Sequence, residues 1–214
     1  VIDKPAGMPV HPSQGHYENT LANAIAWYYR NEETPFVFRA VNRLDRDTSG
    51  LILLAKNPYS SCILSEAVKD HAIHREYAAV VSGKTADSGT IDLPIARKDG
   101  STIERVCDPE RGEAAVTHYQ TIAYNKDADL SFIRLLLETG RTHQIRVHMA
   151  SIQHPVAGDP VYGPHNCITK LHGQCLHAKT LGFIHPITGE QLRFDSELPE
   201  YFTHFIASLR RGTV

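Results

Sequence analysis

The sequence predicts an α+β fold in which helices flank a mixed, largely antiparallel central sheet. Short apolar runs typical of strands are interspersed with segments of helical periodicity along the 214 residues. Most of the predicted strands follow hairpin turns, whereas a parallel sheet needs long crossover connections. The composition, with 42% hydrophobic and 21% charged residues, is that of an ordinary globular chain. We therefore expect one domain over residues 1–214.

The first helix is predicted from a capping signal followed by helical spacing of apolar residues. Asn19 or Thr20 can cap it, and it is expected to run to about Arg30. The rings of Trp27 and Tyr28 are suited to stacking on bases, yet their positions on this helix favour packing in the core. We therefore expect both rings to be buried.

Three further helices follow from similar signals. Asn57 caps and Pro58 opens a helix that runs to about residue 69. Thr142 is the expected N-cap of a helix that ends near Ile152. The last helix is expected over residues 198–210, where Pro occupies an early position.

The strands are predicted from apolar or alternating runs bounded by turn residues. Gly83 closes one of them, and residues 125–129 form the turn of a long hairpin. Residues 84–113 are polar and are expected to form short strands and surface loops. The extended segments are expected at residues 36–41, 51–55, 74–83, 115–124, 131–138 and 176–183, and residues 187–194 are expected to form a hairpin around residues 188–190.

The formal net charge of −2 arises from 22 Lys and Arg against 24 Asp and Glu residues. A nucleic-acid-binding domain usually carries a basic face, and this total does not indicate one. Any such site must therefore depend on local clustering of cations.

The sequence gives no indication of a membrane-bound or secreted chain. No apolar run approaches the roughly 20 residues that span a bilayer, and the start at Val1 does not resemble a signal peptide. Because there is no initiator Met, we expect a preceding segment. No Cys-x-x-Cys pair occurs, and free thiols in a cytoplasmic protein are expected at Cys62, Cys107, Cys167 and Cys175.

The segment at residues 42–50 concentrates functional groups directly before an apolar strand. It contains two carboxylates, two guanidinium groups and two hydroxyls. A polar turn that leads into a core strand is held rigidly, as a catalytic group requires. Asp45 or Asp47 is therefore a candidate catalytic acid. For Asp47, Thr48 and Ser49, we favour the ordinary interpretation as turn residues that bond the local backbone.

Two other chemistries are disfavoured by residue spacing. The glycine before the predicted helix at Thr142, with Arg141 and Arg146, suits an anion, but the spacing of a nucleotide-binding P-loop is absent. His143 and His148 are five residues apart, whereas the metalloprotease helix has its two histidines at i and i+4. We therefore predict neither a nucleotide cofactor nor a metal.

An aspartic protease is a further alternative, because residues 47–50 read Asp-Thr-Ser-Gly. Such enzymes need two aspartates that share one proton. The sequence contains one copy of the motif, so this activity would require a dimer. Arg43 and Arg46 also do not fit the hydrophobic strand that precedes the motif in those enzymes.

Five motifs occur in one order along nearly the whole chain, and a short Leu-His-Ala segment follows at residues 176–178. They lie at residues 4–12, 42–51, 75–83, 140–149 and 154–163. Together they resemble the RluA-type pseudouridine synthases, whose central motif is His-Arg-Leu-Asp-x-x-Thr-Ser-Gly-Leu. Asn42 stands where that family often has His, and we expect this position to adjust local hydrogen bonds.

The resemblance implies a catalytic domain with the pseudouridine synthase fold, which converts uridine to pseudouridine in ribosomal or transfer RNA. It implies Asp45 as the catalytic carboxylate, Arg146 as its basic partner and Tyr77 as the aromatic residue that packs on the flipped uracil. No cofactor or metal is implied. Asp45 attacks the sugar, attacks the base, or takes a proton from the sugar, and the sequence leaves these three routes open.

Further residues are candidates for RNA contacts on the same resemblance. Arg43 can fill the place of the flipped base, and cations that contact phosphates position the RNA without reading its sequence. The candidates are Lys4, Arg43, Lys56, Arg141 and His143. His143 and His148 are also interpreted as structural hydrogen-bonding residues.

The resemblance also sets the wider context that we expect. The family often carries a small N-terminal RNA-binding domain, and we expect such a domain or segment before Val1. The protein is expected to be a cytoplasmic monomer. An RNA-binding factor without catalytic activity is the other alternative, and the retention of Asp45, Tyr77 and Arg146 favours the enzyme.

Overall fold

The computed structural model describes residues 1–13, 15, 17–31, 36–163 and 173–210. The chain divides into two compact units. The first comprises Val1–Arg75 and Ala178–Ser196, and the second comprises Glu76–His177 and Glu197–Val214. Cys167 lies outside the described residues, and the other three cysteines are free thiols, as predicted.

Ten strands and four short helices are found within the described residues. The strands are β1 (Ile2–Lys4), β2 (Ser49–Ile52), β3 (His74–Ser82), β4 (Ser88–Asp92), β5 (Ile95–Arg97), β6 (Arg105–Cys107), β7 (Val116–Asn125), β8 (Leu130–Leu137), β9 (Leu176–Ile184) and β10 (Gln191–Asp195). The helices are α1 (Leu21–Tyr28), α2 (Pro58–Lys69), α3 (Gln144–Ser151) and α4 (Glu200–Arg210). None of these helices combines the length and the apolar character that crossing a membrane requires.

The first unit builds its sheet from β1, β2, β9 and β10. β1 pairs antiparallel with β2, so that Lys4 lies opposite Gly50. β9 lies on the other side of β2 and pairs antiparallel with β10. The strand expected at residues 36–41 is largely absent, because this segment makes only a bridge between Ala40 and Leu54.

A hydrophobic core joins α2 to this sheet. Asn57 accepts a hydrogen bond from the Ser60 amide at 2.8 Å, and Pro58 occupies the first turn, so α2 has the predicted bounds. The buried core residues are Leu51, Leu53, Ala55, Leu64, Ile73, Leu181 and Phe183. This core supports the chain directly after residues 42–50.

Helix α1 contradicts the prediction that its aromatic residues are buried. Thr20 caps it as expected, but Trp27 and Tyr28 are 65% and 71% exposed. Only Leu21 is buried, and its amide donates to the Pro9 carbonyl at 2.9 Å. The first turn of this two-turn helix is therefore anchored, while its last turn lies at the surface.

The second unit contains an antiparallel sheet in the order β3, β8, β7 and β4. β7 and β8 form the predicted hairpin, and β5 pairs with β6 in a separate small sheet. These antiparallel pairings and the flanking helices confirm the predicted α+β class. The prediction of a single domain over residues 1–214 stays a prediction.

Helix α3 is buried against β6 and β7. Ile145 and Val147 are each 4% exposed and pack in the interior, as predicted. The expected cap was wrong, because the N-cap is His143 rather than Thr142, with a left-handed backbone at φ +58°. The polar residues Gln144, Arg146 and His148 are also buried, so each must be hydrogen-bonded within the protein.

Candidate active site

The Asp45 loop, residues 42–50, contains a turn in which the Thr48 amide donates to the Asp45 carbonyl at 3.2 Å. Leu44 and Thr48 point into the unit and are 7% and 2% exposed, whereas Arg43 is exposed. Asp45 is half-buried. The buried neighbours therefore fix the backbone on both sides of the half-buried Asp45.

Asn42 ties the start of this loop to the strand that follows it. Its Oδ1 accepts a hydrogen bond from the Leu53 amide at 2.7 Å, and its Nδ2 donates to the Leu51 carbonyl at 3.3 Å. The prediction that this position adjusts local hydrogen bonds is confirmed.

Lys4 is buried beneath the Asp45 loop, with 1% of its surface exposed. Its ammonium group donates to the carbonyls of Pro5 at 2.8 Å, Met8 at 2.9 Å and Arg46 at 3.0 Å. Burial lowers the pKa of Lys4 to about 8, although the carboxylates of Asp47 and Asp45 oppose this shift. The expected phosphate contact is therefore wrong, because all three donors bind main-chain carbonyls inside the unit.

Gly50 closes the loop where no larger residue fits. Its φ is +109°, and a Cβ atom there would lie 2.3 Å from the Ala178 carbonyl oxygen and 2.6 Å from the Ala178 nitrogen. Both the dihedral angle and the close approach require glycine. The end of the Asp45 loop is thus fixed against β9.

Asp47 bonds a neighbouring side chain rather than the local backbone that the sequence predicted. It makes two hydrogen bonds with Arg46, each 2.9 Å long. The hydrogen bonds and charge of Asp47 raise the pKa of Arg46, and the Arg46 side chain is half exposed. This ion pair joins two neighbouring residues within the turn.

Tyr77 and Arg146, the other two predicted catalytic residues, belong to the second unit. Tyr77 lies on β3 opposite Leu135 and is 7% exposed. Arg146 lies on α3 and is 5% exposed. Its Nε and Nη2 donate to the two carboxylate oxygens of Asp159 at 2.6 and 2.9 Å. This bidentate pair fixes the plane of the guanidinium group.

Asp159 was not predicted as a site residue, although it belongs to the motif at residues 154–163. It is fully buried and also accepts hydrogen bonds from the Val161 and Tyr162 amides at 2.8 and 3.1 Å. Burial acts to raise its pKa, but the hydrogen bonds and charge of Arg146 and the two amides lower it below the usual value. Only the fold reveals this partner, because it lies 13 positions after Arg146 in the sequence.

Tyr162 extends the network around Arg146. The guanidinium carbon lies 5.0 Å from the centre of the Tyr162 ring. The Tyr162 hydroxyl accepts a hydrogen bond from the Arg105 amide at 2.8 Å and is hydrogen-bonded to Nδ1 of His143 at 2.8 Å. Arg146 therefore contacts both the Asp159 carboxylate and the Tyr162 ring.

His148 is a structural hydrogen-bonding residue, as predicted. Its Nε2 donates to the Leu93 carbonyl at 2.9 Å, so its Nδ1 accepts from the Thr117 hydroxyl at 2.9 Å. Burial lowers its pKa and favours this neutral form. Among the described residues, no group of three or more His, Cys, Asp or Glu side chains is arranged to hold a metal ion.

The remaining candidate RNA contacts are exposed cations. Arg141 pairs with Glu113 at 2.6 Å and donates to the Ala114 carbonyl at 3.0 Å, so a phosphate would compete with these partners. Lys56 is exposed, and its Nζ lies 5.5 Å from the centre of the Tyr29 ring. The roles assigned to these residues, and to Asp45, Tyr77 and Arg146, stay predictions.

Comparison with known proteins identifies the family. The model of the RNA pseudouridylate synthase family matches residues 1–151. The ribosomal large subunit pseudouridine synthase D of Zymomonas mobilis is 44% identical over 215 residues, which cover 94% of this chain and 66% of that protein. The uncharacterized RNA pseudouridine synthase YjbO of Bacillus subtilis is 42% identical over 96% of this chain and 71% of its own length.

A solved structure shows the same fold. The human RNA pseudouridylate synthase domain containing 1 matches with a TM-score of 0.75 and 22% identity, over 98% of this chain and 90% of that one. The chain spans about two thirds of the length of the bacterial relatives. By the extent of the family match and the identity to these relatives, the chain belongs to the RNA pseudouridylate synthase family of isomerases, in the RluA-type group that its motifs resemble.

Proposed function

We propose that this chain isomerises specific uridines in RNA to pseudouridine, with Asp45 as the catalytic carboxylate. The observation that carries the proposal is the Asp45 loop, whose half-buried carboxylate sits on a backbone fixed by Lys4, Leu44 and Gly50. A carboxylate positioned in this way, in a family of uridine isomerases, is suited to act on a nucleoside.

The reaction is an internal rearrangement. The bond between N1 of uracil and C1′ of ribose breaks, the base turns, and C5 bonds to C1′. The proton on C5 is then lost and N1 gains one, so no oxidant, reductant or nucleotide is consumed. Asp45 attacks C1′, attacks the base, or removes the proton from C2′, and it must be ionised for each of these routes.

Arg146 and Tyr77 are the proposed partners of this chemistry. A cation near an aspartate favours its ionised form, and Asp159 holds the Arg146 guanidinium in one orientation. Tyr77 is proposed to pack against the uracil, a contact worth about 1–3 kcal/mol per base in single-strand binders. These contacts would offset the few kcal/mol that turning a base out of a helix costs.

The proposed substrate is large-subunit ribosomal RNA, because the relative from Zymomonas mobilis is named as a synthase for it. Transfer RNA is the alternative substrate. We propose that the protein acts in the cytoplasm, as a monomer and without a metal or cofactor. Arg43, Arg141 and Lys56 are the proposed positioning contacts to the RNA backbone.

The test compares Asp45→Ala with Asp47→Ala in the same loop. Each variant is incubated with ribosomal RNA from cells that lack this gene, and pseudouridine is mapped by chemical labelling. Asp45→Ala is expected to abolish product while RNA binding survives, because the catalytic carboxylate is gone. Asp47→Ala removes the ion pair with Arg46 and is expected to retain activity within about tenfold, since such exposed pairs contribute about 0–1 kcal/mol.

Three outcomes would contradict the proposal. Pseudouridine formation by Asp45→Ala at the normal rate would exclude its catalytic role. Loss of activity in Asp47→Ala alone, together with cleavage of protein substrates that pepstatin inhibits, would support the aspartic protease. RNA binding by a wild-type chain that forms no pseudouridine in any cellular RNA would favour a non-catalytic RNA-binding factor.

A further inference from the structure

The last turn of α1 exposes large aromatic side chains that the core does not use. Trp27 is 65% exposed and Tyr28 is 71% exposed. Scattered single apolar residues are normal on a protein surface, but a contiguous group indicates an interaction site. The group, which we call the α1 patch, consists of Trp27, Tyr28, Tyr29, Arg30, Phe36 and Lys56.

The rings of the α1 patch support one another. Tyr29 stacks on Phe36 with ring centres 4.5 Å apart and planes within 13°. Tyr28 meets Tyr29 edge to face with ring centres 5.0 Å apart. Tyr28 therefore extends from a pair of rings that are already packed, and this contact limits the conformational freedom it would lose on binding.

Two cations are held against rings of the α1 patch. The guanidinium carbon of Arg30 lies 3.8 Å from the centre of the Trp27 ring, and its Nη1 donates to the Trp27 carbonyl at 2.9 Å. The Nζ of Lys56 lies 5.5 Å from the Tyr29 ring centre. The helix itself contains no acidic residue. Each of the two cations thus lies against an aromatic ring at this end of the helix.

We propose that the α1 patch binds an unpaired segment of the RNA substrate, with Trp27 and Tyr28 stacking on bases and Arg30 and Lys56 contacting phosphates. The inference rests on the proposed function, which supplies RNA as the substrate. A single strand presents flat bases and anionic phosphates in alternation, which matches this mixture of rings and cations. A purely apolar protein partner would leave the two cations without a counter-charge.

Trp27 is the single tryptophan of the chain. Tryptophan fluorescence therefore reports specifically on the α1 patch. The full chain is titrated with an oligouridylate while tryptophan fluorescence is followed. Binding is measured in parallel from the anisotropy of a labelled oligouridylate. Glu32 and Glu33, which follow in the sequence outside the described residues, are left unchanged in every variant.

The variants distinguish the contribution of the two exposed rings to RNA binding from that of another exposed apolar side chain. The double variant Trp27→Ala and Tyr28→Ala is expected to bind the oligouridylate with an affinity at least about tenfold lower. The reason is that each base stacked on a ring contributes substantially to the binding free energy. The ring-retaining variant Trp27→Phe and Tyr28→Phe is expected to stay within about fivefold of wild type. Ile187→Ala removes another exposed apolar side chain, 66% exposed, and is expected to leave binding unchanged.

Two results would overturn the inference. One is wild-type affinity in the double alanine variant. The other is a tryptophan signal that responds to protein concentration but not to RNA, which would assign the α1 patch to a contact between copies of the chain.

A pseudouridine assay distinguishes failure of this inference from failure of the proposed function. Asp45→Ala is expected to lose product formation but to keep the quenching of Trp27 by oligouridylate. The double alanine variant is expected to raise KM for the RNA substrate more than it lowers kcat. If wild type forms no pseudouridine while oligouridylate still quenches Trp27, the proposed function fails and the RNA-binding role of the α1 patch stands.

Discussion

The Asp45 loop and the surroundings of Arg146 hold a charged side chain in two different ways. In the Asp45 loop, the fixing contacts are made to the main chain: the Lys4 ammonium binds three carbonyls, and Gly50 packs on the backbone of Ala178. Around Arg146, the fixing contact is an ion pair between two buried side chains, Arg146 and Asp159.

This difference has consequences for mutational sensitivity. A loop held through its main chain keeps its shape when most of its side chains change, provided that Lys4 and Gly50 remain. A buried ion pair depends on both partners, because the removal of one leaves the other charge without its compensation in a nonpolar environment. We therefore expect a single substitution that removes a charge to lower the free energy of unfolding more at the Arg146–Asp159 pair than in the Asp45 loop.

The largest effect is expected for Asp159→Asn. The substitution keeps the shape of the side chain but removes the charge that compensates Arg146, and such losses cost about 3–5 kcal/mol. The free energy of unfolding is measured by urea denaturation at pH 7. The matched control is Asp99→Asn, which removes the exposed partner of Arg111 and is expected to cost about 1 kcal/mol or less. Equal losses of unfolding free energy in the two variants would contradict the expectation that breaking a buried ion pair costs more than breaking an exposed one.

A smaller loss is expected for Gly50→Ala. The added methyl group meets the backbone of Ala178, and the left-handed backbone is unfavourable for alanine, so together these cost about 3 kcal/mol. Gly189→Ala separates the two causes, because Gly189 has φ +71° with no atom within 4 Å of the added Cβ. That control is expected to lose only about 1 kcal/mol by the same denaturation measurement. A loss in Gly50→Ala no greater than in the control would exclude the close approach as a constraint.

The smallest effect is expected from titration of Lys4. Its pKa is about 8 in the folded chain and near 10.5 when unfolded, so between these values the unfolded chain binds more protons. Stability therefore rises with pH in this window, by about 2 kcal/mol between pH 7.5 and 9.5. The measurement is urea denaturation at both pH values, with Lys4→Met as the control that lacks this contribution. An identical pH dependence in the two proteins would contradict the lowered pKa.

Local signals in the sequence predicted most of the elements correctly. Asn57 and Pro58 define the start of α2 because capping and proline geometry depend on neighbouring residues alone. The hairpin of β7 and β8 was likewise predicted from its turn residues. The error at Trp27 and Tyr28 has a physical cause: helical spacing identifies an apolar face but does not indicate whether other elements cover it.

The contacts around the candidate site could not be predicted from the sequence, because they form only when the chain folds. A lysine is expected at the surface. Lys4 is an interior residue only because its ammonium group donates to three main-chain carbonyls. Asp159 belongs to a recognised motif, yet its pairing with Arg146 requires the folded backbone. Asp45 was singled out from its sequence context, whereas the groups that fix its loop became visible only in three dimensions.

The contact between Gly50 and Ala178 also bears on the order of events during synthesis. The first unit is discontinuous, and Leu181 and Phe183 complete the core that Leu51 and Leu53 begin. A nascent chain emerges from its N-terminus, so the first 75 residues leave the ribosome about a hundred residues before their partner strand. The Asp45 loop therefore acquires its final shape late in translation, because a chain that ends before residue 178 lacks the backbone against which Gly50 packs.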